Sequence, residues 1–212
     1  MAKYNLANIA IPPAVKILLI ANIGVFLLQS AMGDALIPLF ALWPLDLHEK
    51  LATYGVTSLF EPWQLLTYAF LHGSFFHIFL NMYALWMFGS RMEMVWGSRA
   101  FVIYYFVCVI GAGLTQLLFT SYSGDVYPTI GASGGVFGIL LAFGMTFPNE
   151  RLLLVFPPVV LKAKWFVLLF GAIELFSGVT GTAAGVAHFA HLGGMLFGFF
   201  LLLRWRKHPL QR

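Results

Sequence analysis

The stretch from residue 131 to 147, GASGGVFGILLAFGMTF, is apolar and glycine-rich, opens on a serine, and stops at Pro148-Asn149-Glu150. Counted from Ser133 to Phe147 it holds 15 residues, about 23 Å of helix at 1.5 Å per residue. The hydrocarbon core of a bilayer is about 30 Å thick. A helix here therefore starts inside the membrane, reached through the segment 121–132, read as non-helical. Irregular backbone at that depth is tolerated only where protein or a water-filled cavity surrounds it. Gly134, Gly138 and Ala142 recur at four-residue spacing, a small-residue stripe of the kind that lets helix backbones approach closely in lipid.

The rest of the chain agrees with a membrane reading. Of its 212 residues 60% are hydrophobic and 9% charged, and the mean hydropathy is +0.87. Soluble domains run near 45–50% apolar and about 25% charged. This composition excludes a disordered chain, an ordinary water-soluble fold and a basic nucleic-acid binder. Six apolar stretches qualify or nearly qualify as spans, at 14–32, 73–89, 101–120, 133–147, 166–180 and 188–203. The expected fold is all-α: a six-transmembrane-helix bundle with a short, recessed fourth helix, forming one domain over 1–212 with its core at about 14–205. Lys3 and Lys16 ahead of the first apolar stretch, and Ala31-Met32-Gly33 after it, imitate a cleaved signal peptide. Asn22 interrupts that stretch, which reads as an uncleaved first helix. The single cysteine, Cys108, sits in an apolar run and reads as an inert buried thiol.

Cationic residues concentrate on the cytoplasmic side of membrane proteins. With the amino terminus inside, the inner segments hold Lys3, Lys16, Arg91, Arg99, Arg151, Lys162, Lys164, Arg204, Arg206, Lys207 and Arg212; only Lys50 lies outside. Asp34, Asp46, Glu49, Glu61 and Asp125 fall on the outer side. Both termini are thus expected in the cytoplasm. The long first outer loop, 33–63, mixes Leu36, Ile37, Phe40, Leu42, Trp43, Leu45, Leu59, Phe60 and Trp63 with acids, which suits a segment lying in the outer interface. Trp86, Trp96 and Trp165 read as interfacial anchors.

Strongly polar side chains within spans are costly, so each is a functional candidate. They are His77 and Asn81 in the second span, Ser133 opening the fourth, Glu174 in the fifth, and His188 and His191 in the sixth; His72 precedes the second. His77 lies 14 residues before Arg91, Ser133 17 before Glu150 and His191 13 before Arg204. These separations place the three about 21, 26 and 20 Å above the inner boundary, at similar depth. Ala190, Gly194 and Gly198 form a second small-residue stripe. Packing it against the first brings the Ser133 hydroxyl toward the His191 imidazole, as base-activated nucleophilic attack requires. His77 and Asn81, at i and i+4, share a helix face and are potential oxyanion donors beside the amides opening the fourth span. Glu174 finds no partner at this stage. His188 reads as a cavity-mouth residue and His72 as a tie between the first loop and the second span.

These residues resemble the rhomboid family of intramembrane serine proteases. Gly131-Ala132-Ser133-Gly134 matches its G-x-S-G motif, Ala190-His191-Leu192-Gly193-Gly194 with Gly198 matches A-H-x-x-G-x-x-x-G, and His72, His77 and Asn81 match H-x-x-x-x-H-x-x-x-N. Gly89, Glu93 and Gly97 resemble the family's turn after the second span. The resemblance implies a bacterial-type serine endopeptidase of the inner (plasma) membrane, multi-pass, cutting single-span membrane proteins in or near their transmembrane segments. It further implies Ser133 as nucleophile, His191 as general base in a dyad without a carboxylate, and His77, Asn81 and the Ser133 amide as the oxyanion hole, with no metal or cofactor. Two positions depart from the pattern. Gln64 follows Trp63 where the family often has arginine, and Phe137 stands where some members have tyrosine. The competing readings are a catalytically inactive rhomboid-like binder of membrane clients and, further off, a transporter holding zinc on His72, His77, His188 and His191.

Overall fold

The computed structural model describes residues 11–45, 60–154, 158–182 and 187–208. Lys3, Arg212 and the part of the first outer loop that holds Asp46, Glu49, Lys50 and Leu59 lie outside the described residues. Each of the six apolar stretches forms helix. The principal helices are α1 (Pro13–Met32), α2 (Phe75–Ala84), α3 (Ser90–Trp96), α4 (Ser98–Ser123), α5 (Ser133–Thr146), α6 (Ala163–Thr180) and α7 (His188–Lys207). A wide π-type turn, Leu85–Gly89, joins α2 to α3. Among the described residues three stretches, Pro13–Phe40, Ser98–Ser123 and Ala163–Thr180, are long and apolar enough to cross a membrane, and Ser133–Thr146 is a shorter apolar helix.

Helices α4, α5 and α7 form the centre. Tyr104, Tyr105, Cys108, Ile139 and Ala142 are fully buried there, and Tyr104 donates its hydroxyl to the Gly138 carbonyl at 2.9 Å. Cys108 faces Gly138 and Gly198, in keeping with an inert thiol. Helices α1 and α6 stand at the periphery, exposing Ile17, Ile20 and Leu27 on one and Leu168, Phe176 and Val179 on the other. A bundle whose outer helices turn aliphatic and aromatic side chains outward suits lipid as its solvent.

The start of α1 is completed from elsewhere. Its first turn has no side-chain cap of its own, and the first N–H groups of any helix lack intrahelical acceptors. The buried carboxylate of Glu93, on α3, accepts from Ala14 N at 2.9 Å and Val15 N at 2.8 Å. It also accepts the Ser98 hydroxyl at 2.6 Å. A negative group at a helix N-terminus is further favoured by the helix dipole. One side chain thus ties α1, α3 and the beginning of α4. Asn22, read as an interruption of the first stretch, is buried and donates back to the Leu18 carbonyl at 2.8 Å.

Four local readings are revised. Helix α4 continues to Ser123 and ends on left-handed Gly124, so the irregular segment before Ser133 is shorter than expected from the sequence. Residues 148–165 include an antiparallel hairpin, β1 (Arg151–Leu154) with β2 (Val159–Lys162), pairing Arg151 with Lys162 and Leu154 with Val159. In the first loop Leu36, Ala41, Leu42 and Trp43 are buried against protein, while Leu39, Leu45 and Trp63 remain exposed. Gln64, at the arginine position, is buried and accepts from Trp43 N at 3.2 Å, closing that loop on itself. Finally, Trp96 is no free anchor: it packs on Tyr104 at 4.9 Å and Trp205 at 5.6 Å between ring centroids. Trp86 and Trp165 are exposed.

Replacing the Glu93 carboxylate by an amide turns an N–H toward the N–H groups it now receives. Glu93→Gln is expected to destabilise the protein by about 1–3 kcal/mol, read as a lowered unfolding temperature in detergent with helicity at low temperature retained.

Candidate active site

The segment 124–132 descends to Ser133 without regular structure, and protein groups hold its backbone at Thr129 and Gly131. Thr129 exchanges two hydrogen bonds with Leu42, at 2.9 and 3.0 Å, and Gly131 N donates to the Tyr68 carbonyl at 2.9 Å. Tyr68 is itself held by its hydroxyl, which donates to Val109 O at 2.7 Å. At Gly131 φ is +123°, a region L side chains avoid. A Cβ there would also lie 2.7 Å from His77 Nε2. Glycine at this position therefore serves both the turn and the room for the His77 ring.

Ser133 is the first residue of α5, where backbone N–H groups point outward without intrahelical acceptors. His191 lies in the first turn of α7. The two helices meet along the stripes seen in the sequence: a Cβ on Gly194 would collide with the Gly134 carbonyl, and one on Gly138 would lie 3.2 Å from the Gly194 carbonyl. At this backbone-to-backbone contact His191 Nε2 lies 2.7 Å from Ser133 Oγ. The Phe137 ring stacks on the imidazole at 4.3 Å and 6°, as the departure from tyrosine still permits.

His77 and Asn81 face the same place from α2. Together with Ser133 and His191 they line a cavity of about 770 Å³. Gly73 N donates to His77 Nδ1 over a long 3.4 Å, which leaves Nε2 as the protonated nitrogen, directed at Gly131 beside the serine. Asn81 Nδ2 donates one hydrogen to the His77 carbonyl at 3.0 Å; an amide has a second. His72 is buried and exchanges two 3.1 Å hydrogen bonds with Gln29 of α1 through its own backbone. These bonds reach α1 and use the backbone; they are not the tie between the first loop and the second span expected of it. The His72 ring meets the Phe70 carbonyl at 3.3 Å and the His77 ring edge-on at 5.0 Å.

The sequence gives Glu174 no partner and makes His188 a cavity-mouth residue; the structure brings the two together. Glu174 Oε2 lies 2.6 Å from His188 Nδ1 and 2.9 Å from His191 Nδ1. The first contact is a well-formed hydrogen bond. At the second the ring N–H does not aim squarely at the oxygen, leaving Nδ1 without an aligned partner. His188 Nε2 also reaches the Thr182 carbonyl at 3.1 Å. The dyad implied by the resemblance thus has a carboxylate beside its base. A signal for this exists in the sequence. Gly171 and Gly178 flank Glu174 on one face of α6, and side chains added there would meet Met195 and His188 of α7. Glu174, His188 and His191 offer ligand atoms within 4.8 Å of one another. Nitrogen and oxygen ligands around a zinc ion stand about 3.3 Å apart, so the observed contacts suit shared protons better than coordination.

The model of the rhomboid domain matches residues 59–207. The chain belongs to the rhomboid family. It is 31% identical over 179 residues to the rhomboid protease GlpG of Klebsiella pneumoniae, an alignment covering 80% of this chain and 59% of the relative. It is 35% identical over 140 residues to the mitochondrial rhomboid protein 1 of Saccharomyces cerevisiae, covering 61% and 38%. A third relative, the mitochondrial presenilin-associated rhomboid-like protein of Rattus norvegicus, is 29% identical over 184 residues, covering 81% and 48%. The chain thus spans between about two fifths and three fifths of the length of these relatives. Members of this family are membrane-embedded and multi-pass, in agreement with the lipid-facing helices described above.

The meeting of Ser133 and His191 depends on the Gly134–Gly194 contact. Gly194→Ala is expected to lower stability by about 1–3 kcal/mol, the range for overpacking. Gly24→Ala, where an added methyl meets nothing within 4 Å, serves as the control and is expected to leave the unfolding temperature unchanged or slightly raised.

Proposed function

We propose that this rhomboid is an intramembrane serine endopeptidase. The observation that supports this best is the 2.7 Å approach of His191 Nε2 to Ser133 Oγ at the wall of a cavity large enough for an unwound peptide segment. In this reading the chain is one domain of six spans with both termini cytoplasmic, set in the inner (plasma) membrane. Its substrates are single-span membrane proteins.

His191 accepts the Ser133 proton as Oγ attacks the scissile carbonyl, and returns it to the departing amine; water then hydrolyses the acyl-enzyme by the same route. Charge develops on the former carbonyl oxygen. The Ser133 amide, His77 Nε2–H and the second hydrogen of the Asn81 amide are the donors available to it, and fixed donors in a water-poor site stabilise such an oxyanion strongly. No step calls for a metal or cofactor.

Purified protein in proteoliposomes is expected to cleave a single-span model substrate and to be labelled on Ser133 by a fluorophosphonate. Ser133→Ala and His191→Ala should each reduce cleavage by at least about a thousandfold. His77→Ala and Asn81→Ala should lower turnover by about ten- to a thousandfold with smaller effects on KM. Cleavage undiminished in either of the first two variants refutes the assignment, and substrate retention without any turnover would identify an inactive client binder.

A further inference from the structure

We infer that Glu174 is a positioning residue for His191, and that His188 sets its charge, so that four side chains act as one proton chain: His188, Glu174, His191, Ser133. This deepens the proposed function and rests on it. The argument starts from protons that the geometry fixes. A backbone carbonyl only accepts, so the 3.1 Å contact with Thr182 places a hydrogen on His188 Nε2. The 2.6 Å contact between His188 Nδ1 and Glu174 Oε2 requires a further proton between them, since two lone pairs at that distance repel. His188 and Glu174 together thus share one proton in a net-neutral pair, which we assign as imidazolium and carboxylate. That neutrality is what permits two ionisable groups to stay buried.

At the other end, His191 Nε2 must carry a lone pair to accept the Ser133 hydroxyl proton. Its one ring hydrogen is then on Nδ1, facing Glu174 Oε2 at 2.9 Å. Glu174 selects that tautomer, and Phe137 stacked on the ring face limits its tilt. When the serine proton moves to Nε2, the new imidazolium lies against the carboxylate and is stabilised by it. The stabilisation is weaker than an unshared carboxylate would give, because His188 already compensates its charge. The imperfect aim of the Nδ1–H in the resting state is consistent with a contact that tightens once the ring is charged. Among the described residues, the ionisable side chains facing His191 are Glu174 from α6, His188 from its own helix and His77 from α2 across the cavity.

The test uses the full chain in proteoliposomes, with the rate of fluorophosphonate labelling of Ser133 followed from pH 5 to 9 and cleavage of a model substrate measured in parallel. Glu174→Gln keeps the shape and removes the charge. Its labelling rate is expected to fall roughly tenfold or more, and the acid limb of its profile to move to lower pH by about one unit. His188→Gln leaves the carboxylate uncompensated, so its acid limb should move the opposite way, to higher pH. Glu174→Asp should recover part of the rate lost in Glu174→Gln, with a limb near that of the unmodified protein. KM for the substrate should change little in any of them. Opposed shifts from two neighbouring variants cannot arise from a general loosening of the fold. A Glu174→Gln profile that superposes on the unmodified one, or variants that shift in the same direction, overturns this inference while the Ser133→Ala and His191→Ala results leave the protease reading intact. A protein that neither labels nor cleaves overturns both.

Discussion

The backbone contact between Gly134 and Gly194 is the constraint on which the site depends. A methyl group on Gly194 would occupy the space of the Gly134 carbonyl, so α5 and α7 touch with no side chain between them. Little hydrophobic force draws helices together in lipid, where the tails are as apolar as leucine, and close van der Waals packing takes its place. That packing fixes distance and also phase. Ser133 precedes Gly134 and His191 precedes Gly194 by three residues, so the register that seats the glycines presents hydroxyl and imidazole to one another. The remaining neighbours follow the same logic on α4, where Ala112 opposes Gly134 and Cys108 opposes Gly138.

A second constraint acts on everything polar at this depth, because a buried N–H or C=O without a partner costs several kcal/mol in hydrocarbon. The descending segment meets it through Leu42, Thr129 and Tyr68, and α1 meets it through Glu93. These solutions are all long-range in sequence. They pin the first loop to the entrance of α5 and the first helix to the turn after the second. Helix α6 is mostly exposed and meets α7 along the face that carries Gly171, Glu174 and Gly178.

Composition and small-residue spacing made the helices, their central pair and the Ser133–His191 meeting legible in the sequence, since each depends on patterns local to one helix. The shortness of α5 was equally legible from its bounding Pro148 and Glu150. The hairpin after α5 was not: its strands are four residues each, too brief for alternation to stand out from the neighbouring apolar runs. The inward turn of Leu36, Ala41 and Leu42 was missed because amphipathic composition fits an interface and a protein groove alike. Glu174 showed the sharper limit. A carboxylate inside an apolar helix announces that it has a partner, and Gly171 and Gly178 mark the close face of α6 around it, but which side chain it meets depends on how α6 crosses α7.

The pairing of Glu174 with His188 bears on why a carboxylate can stand next to the base at all. An unpaired carboxylate taken out of water loses several kcal/mol of solvation, and with His191 as its one cationic partner it would hold that ring protonated at rest. A proton shared with His188 across 2.6 Å removes that difficulty at the cost of weakening the carboxylate's pull on its other neighbour. The balance suits a site in which the base must be neutral at rest and charged only in passing. A stronger partner for His191 would hold it protonated and unable to accept from serine; an apolar neighbour would leave its tautomer to chance. Placing the carboxylate between two imidazoles, one bonded squarely and one obliquely, lies between these extremes, and α6 provides it from the face around Glu174 that meets α7.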